Sequence, residues 1–212
     1  MIEYTKKRSL KLNTNALFNI GYGLYVLTAN NEGKDNGCII NTVMQVTSNP
    51  LQIAIVVNKQ NYTTGMIQKT KKFNISVLTE KSDFNTFKHF GFQSGANCNK
   101  FENFTDSKRS PNGLLYITKN TNAFFSAYVK QELDLGTHIL FIGQLVAAEV
   151  LDDEPTVTYT YYQKNIKPKP QETKKSGWRC KICGYVYEGE NLPEDFICPL
   201  CKHGAVDFEK IA

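Results

Sequence analysis

The chain has 212 residues, of which 41% are hydrophobic and 21% charged, with a formal net charge of +5. This length can bury one good core and leave a smaller second unit, and no apolar run approaches the roughly 20 residues that cross a bilayer, so no membrane partner is expected. The Lys and Arg residues are scattered rather than gathered in a stripe, which argues against a nucleic-acid partner and for a solvated surface suited to an acidic redox protein.

Met1 to Arg8 carry basic residues, but no apolar stretch with a small-residue cleavage site follows them. No signal peptide is read there, and a cytoplasmic location is expected. A short helix at Ala16 to Ile20 precedes strand-like runs at Leu24 to Ala29, Cys38 to Thr47 and Gln52 to Val57. A helix from Tyr62 to Lys71 follows a cap position at Asn61, then come a strand at Phe73 to Leu78 and a helix at Glu80 to Phe90. Strands at Leu114 to Thr118, Asn122 to Leu133 and His138 to Val150 complete the series. The runs are rich in Val, Ile, Thr, Tyr and Phe and are separated by Asn-Glu-Gly, Ser-Asn-Pro and Pro-Asn-Gly turns, a pattern that predicts a mainly β fold, a barrel with short helices. After Tyr162 the composition shifts to Lys-Pro-Lys-Pro and other polar residues, an extended linker. The expected organisation is a domain over residues 1–162, a linker over 163–176 and a small domain over 177–212.

Four of the six cysteines form two C-x-x-C pairs, Cys180 with Cys183 and Cys198 with Cys201. Each pair sits in a tight turn that aims two thiolates at one point, and four thiolates make a tetrahedral metal site. Gly184 lets the chain pass closely by the metal, and Pro199 stiffens the second turn. Zinc and iron both accept this ligand set. The aromatic residues Trp178, Tyr185, Tyr187, Phe196 and Phe208 would form a miniature core that keeps water from the sulfurs. The segment resembles rubredoxin through Trp178-x-Cys-x-x-Cys-Gly-Tyr-Val-Tyr-Glu-Gly and Leu192-Pro-Glu-Asp-Phe-x-Cys-Pro-Leu-Cys. Its shorter connection between the pairs is closer to the rubredoxin-like tail of rubrerythrins. The resemblance implies one iron cycling between ferrous and ferric states, with zinc as an occupant in recombinant protein. Cys38 and Cys98 read as small buried or half-buried thiols.

In the larger domain, Asn41, Thr42, Gln45, Val46, Thr47 and Ser48 gather amides and hydroxyls in one strand-to-loop stretch. Asn58, Lys59, Asn61 and Thr63 follow a buried strand and open a helix, where free N–H groups and a cation favour a phosphate. Ser94 beside Gly95 adds a hydroxyl. The order and spacing of these pieces, with Asn99-Lys-Phe, Gly136-Thr-His and Tyr159-x-Tyr-Tyr, resemble the flavin reductase family with the FMN-binding split barrel, which includes flavoredoxins. The resemblance implies FMN, with Asn41 to Ser48 facing its ring and Asn58, Lys59, Thr63, Ser94 and Gly95 near its phosphate. It also implies a homodimer, and a place for His138 near the flavin and an incoming nicotinamide; a histidine hydrogen-bonded within a strand pair is the alternative. Two positions depart from the family, Ala96 in place of a frequent Arg and Thr137 in place of a frequent Asp.

The order flavin domain, linker, iron domain resembles the high-molecular-weight rubredoxins of anaerobic bacteria. That resemblance implies an oxidoreductase passing electrons between FMN and Fe(Cys)4 and onward to a flavodiiron protein that reduces oxygen or nitric oxide. NAD(P)H or a rubredoxin reductase would be the donor. The alternative is an NAD(P)H-dependent flavin or ferric reductase with an accessory rubredoxin tail.

Overall fold

The structure is a computed structural model and describes residues 13–168, 177–200 and 203–211. A 3-10 turn over Thr14–Asn19, where the Asn13 side chain accepts from the Asn15 amide, leads into β1 (Tyr25–Asn31) and β2 (Lys34–Ile40). These form a hairpin that sets Leu27 opposite Cys38. Then follow β3 (Val43–Ser48), β4 (Leu51–Asn58), α1 (Tyr62–Thr70), β5 (Lys72–Leu78), α2 (Phe84–Gly91), β6 (Ser107–Arg109), β7 (Leu115–Ile117), β8 (Thr121–Asp134) and β9 (His138–Val150).

Seven of these strands form one sheet in the order β2-β1-β5-β8-β9-β4-β3. Its two edge strands are joined only by Asn41 and Thr42, so Ile40 and Val43 lie no more than about 11 Å apart. The edges of a flat sheet of seven strands would be about 29 Å apart. The sheet therefore curls until its edges are neighbours without pairing, which is a split barrel. The run from Cys38 to Thr47 that reads as one strand is accordingly two, because the chain crosses from one edge to the other at Asn41 and Thr42.

Alternation along the strands feeds two cores. Leu27, Ile55, Ile67, Phe73, Ile75 and Phe141 fill the barrel, while Val26 points the other way into a layer with Leu24, Leu78, Phe87, Phe90 and Tyr162. Helix α2 covers that outer layer with Phe87 and Phe90, and the Asp83 carboxylate accepts from the Thr86 amide at 3.1 Å to cap its start. Helical backbone continues past Tyr162 as a π turn over Tyr162–Ile166.

The C-terminal unit contains β10 (Gly177–Cys180), β11 (Val186–Tyr187) and β12 (Phe208–Ile211). They form a three-stranded sheet with β10 central, Trp178 opposite Tyr187 and Cys180 opposite Phe208. Among the described residues no helix is long and apolar enough to cross a membrane.

Candidate functional site

A cavity of about 320 Å³ opens between β2, the start of α1 and the segment after α2. Asn36 and Cys38 of β2 face Asn61, Tyr62 and Thr63 across it, and Ser94, Gly95 and Lys100 close a third side. The Asn36 amide donates to Thr63 Oγ1 at 2.8 Å, while its Oδ1, in a side chain only 1% exposed, has no hydrogen-bond partner among the described residues. Gly95 packs against it so closely that a Cβ there would stand 2.0 Å from Asn36 Oδ1. Lys34 donates to the Gly95 carbonyl at 2.6 Å and lies 5.0 Å over the Tyr62 ring.

Lys100 carries the electrostatics. It is 2% exposed, and its ammonium donates to the carbonyls of Gly37 at 2.8 Å and Phe90 at 2.9 Å. Among the described residues no carboxylate forms an ion pair with it. Burial pushes its pKa below the ordinary lysine value, and burial pushes the Cys38 thiol up despite a hydrogen bond with Thr63 and the nearby Lys100 charge. A buried cation without an acid, lining a cavity beside an orphaned acceptor, fits a ligand with an anionic end and hydroxyl donors.

Of the residues singled out in the sequence, Asn61, Thr63, Ser94 and Gly95 line this cavity. The other residues assigned to the cofactor, and His138, lie outside its lining. Asn41 and Thr42 occupy the edge-to-edge crossing, with the Thr42 hydroxyl donating to Val56 O at 2.6 Å. Gln45, Val46 and Ser48 are exposed and Thr47 half-buried on edge strand β3, which bulges between Gln45 and Thr47. Asn58 Oδ1 accepts from the Gln60 amide at 2.8 Å, and Lys59 pairs with Asp134 at 2.6 Å. His138 begins β9 opposite Asn58, with Nδ1 2.8 Å from the Thr137 hydroxyl. Burial, and then the neighbouring His203, hold its pKa below the usual histidine value. Asn36, Cys38 and Lys100 carry no role in the sequence reading, although Asn99-Lys100-Phe101 is among the motifs that match the family.

The second site lies in the C-terminal unit. The sulfurs of Cys180, Cys183 and Cys198 lie within 4.8 Å of one another, and Cys183 Sγ stands 3.5 Å from Cys198 Sγ. The edge of a metal–sulfur tetrahedron with bonds of about 2.3 Å is about 3.8 Å, so the cluster is close to ligand geometry. Cys201 lies outside the described residues. The first turn closes through Gly184 N to Cys180 O and Cys180 N to Tyr185 O, both 2.8 Å, with Gly184 at φ +81 where a side chain is disfavoured. In the second, Cys198 N donates to His203 O at 2.8 Å. Buried Phe208 and the partly buried Trp178, Tyr185, Tyr187 and Phe196 pack around Cys180 and Cys198, with Phe196 and Phe208 edge to face at 5.3 Å. The three described thiols and the largely covered aromatic cluster around them fit a single iron.

Comparison with known proteins matches both halves. Residues 17–169 match the flavin reductase like domain and residues 178–209 the rubrerythrin, rubredoxin-like domain. The high molecular weight rubredoxin of Moorella thermoacetica is 36% identical over 230 residues, covering 94% of this chain and 100% of that protein. The ferric-chelate reductase (NAD(P)H) of Archaeoglobus fulgidus is 36% identical over 162 residues, covering 76% of this chain and 95% of its own. In structure, the flavoredoxin of Methanosarcina acetivorans shares the barrel fold with a TM-score of 0.59 at 23% identity, over 66% of this chain and 74% of that one. The chain therefore belongs to the flavin reductase-like family and carries a rubredoxin-like domain behind its barrel.

Proposed function

We propose that this oxidoreductase holds FMN in its barrel domain and one iron in its rubredoxin-like domain, and passes electrons between them and onward to a flavodiiron-type reductase of oxygen or nitric oxide. The observation that carries the flavin half is the cavity with a buried, acid-free Lys100 and the orphaned Asn36 Oδ1. Lys100 would take the phosphate of FMN, and Asn36 Oδ1 would accept from a ribityl hydroxyl. Where the family often has Arg after Ser-Gly this chain has Ala96, and Lys100 is the cation that takes over that charge. Thr63, Ser94, the Gly95 backbone and Asn61 would hold the same end, with Asn58 and Lys59 at its margin.

Strand β3 leaves Met44 62% and Val46 40% exposed, an apolar edge that fits a flavin ring flanked by Asn41, Thr42, Gln45, Thr47 and Ser48 and covered by a second copy of the chain in a homodimer. His138, kept neutral by its depressed pKa, would face the donor side. When bound, FMN accepts two electrons with a hydride and the iron carries one at a time. Cys180, Cys183, Cys198 and Cys201 hold the iron with no open position for substrate, so that site moves electrons only. NAD(P)H or a rubredoxin reductase is the donor, and the location is the cytoplasm. The similarity to a ferric-chelate reductase over 76% of the chain favours direct use of NAD(P)H and gives the second reading, in which the barrel reduces free flavin or ferric complexes and the tail is accessory.

The test is an anaerobic NADH titration of iron-loaded, FMN-loaded protein followed in the visible. Bleaching of both the flavin and the ferric-thiolate bands supports the proposed chain of transfer. Absence of a flavin band after FMN addition refutes it.

A further inference from the structure

Among the described residues, two of the places where the rubredoxin-like unit meets the barrel bear on the cavity and the first cysteine turn. At the first, Pro199 and Leu200, which directly follow the metal ligand Cys198, line the same cavity as Thr63, Gly95 and Lys100. At the second, the Lys167 ammonium, one residue past the π turn, donates to the carbonyls of Lys181, at 3.2 Å, and Ile182. Those two residues lie between Cys180 and Cys183, so the contact grips the first cysteine turn while the tip of the second reaches the cavity mouth. A cleft of about 290 Å³ between Lys167, Pro168 and the strand around Cys180 marks the same seam.

We propose that Lys167 latches the rubredoxin-like unit onto the flavin pocket of its own chain, making the Cys198 to Leu200 turn both the lid of that pocket and its covalent connection to the metal. The inference rests on the proposed FMN site. Its chemistry is simple: one ammonium takes two carbonyls that a metal-bearing turn leaves pointing outward, and an apolar tip shuts the cavity against solvent. In the latched state one peptide bond separates the cavity-lining Pro199 from the metal ligand Cys198. Release of the latch opens the mouth to a bulky donor or acceptor, so lid closure and access from outside exclude each other.

The test compares the full-length wild type with Lys167→Met and, separately, Leu200→Asp, each loaded with iron and FMN. FMN release is followed by recovery of flavin fluorescence, and domain separation by small-angle scattering. The expected result is FMN release faster by about tenfold in Lys167→Met, the factor one charge-assisted hydrogen bond is worth. The radius of gyration should be larger in Lys167→Met, and release should be accelerated in Leu200→Asp as well, with iron content unchanged in both. Unchanged release and unchanged scattering in both variants overturn the latch while leaving the flavin site standing. Release that depends on protein concentration overturns the same-chain assignment in favour of a lid supplied by a second copy. Failure of the wild type to bind FMN removes the flavin site, and the latch with it.

Discussion

The described sulfurs of the candidate metal cluster come from a stretch that runs only from Cys180 to Cys198, and one tight turn sets those of Cys180 and Cys183. The cavity in the barrel is assembled from β2, the α1 start and the segment after α2, and Lys100 reaches Gly37 O across 63 positions of chain. The first site is thus made by local geometry and the second by tertiary packing of segments far apart in sequence. Local sites tolerate change elsewhere in the fold and fail outright when a ligand is lost. The barrel cavity should instead respond in graded steps to substitutions that touch its walls.

The largest expected effect follows from removing a ligand. Cys198→Ser should lose iron by more than about tenfold and, because metal binding and folding are coupled in so small a unit, should lose the ordered C-terminal domain with it. Metal analysis and loss of the ferric-thiolate absorbance check this, and FMN should still bind at one per chain. Retention of full iron content would mean that Cys198 is not a ligand.

Next in size, Lys100→Met should weaken FMN binding by about 100-fold or more, since it leaves a buried phosphate without its cation. Titration by flavin fluorescence quenching measures it, with thermal unfolding of the apo form as the control for folding. The same residue predicts a pH dependence. Burial holds the Lys100 pKa below the ordinary lysine value in the free protein, so its charge is lost at lower pH than that of an exposed lysine. FMN affinity should fall as pH rises through that value, and the fall should be absent in Lys100→Met.

Gly95→Ala places a Cβ against Asn36 Oδ1 and should cost about 1–3 kcal/mol of stability by overpacking, read as a lower Tm together with weaker FMN binding. The smallest effect belongs to Lys59→Met. Lys59 is bound to Asp134 at the surface, and an exposed pair contributes at most about 1 kcal/mol. FMN affinity should change by less than about threefold. A loss as large as that of Lys100→Met would move the phosphate end of the site from the cavity to the β4–α1 turn.

The same contrast explains what could be read in advance. The two C-x-x-C pairs and the five aromatic residues around them are visible as spacing and composition, and the structure packs the described ones into one cluster. Strands β5, β8 and β9 are visible because their alternation is long and their ends carry turn residues. The crossing at Asn41 and Thr42 is not visible, since nothing local interrupts the β pattern there and closure of the sheet alone demands the break. Asn61 reads as a helix cap, but its side chain makes no capping bond and its amide instead faces Cys38 Sγ at 3.7 Å. Lys100 falls within the family-matching Asn99-Lys-Phe, but its burial and its bonds to Gly37 O and Phe90 O arise only in the tertiary fold.

The most direct test of the central claim reduces the flavin without any protein donor. Iron-loaded, FMN-loaded protein is photoreduced anaerobically by a flash with oxalate as the sacrificial electron donor, and the flavin and ferric-thiolate bands are followed in time. The account predicts that the flavin band bleaches first and the ferric band then bleaches at a rate independent of protein concentration. A reduced flavin that coexists with an unchanged ferric band would contradict it.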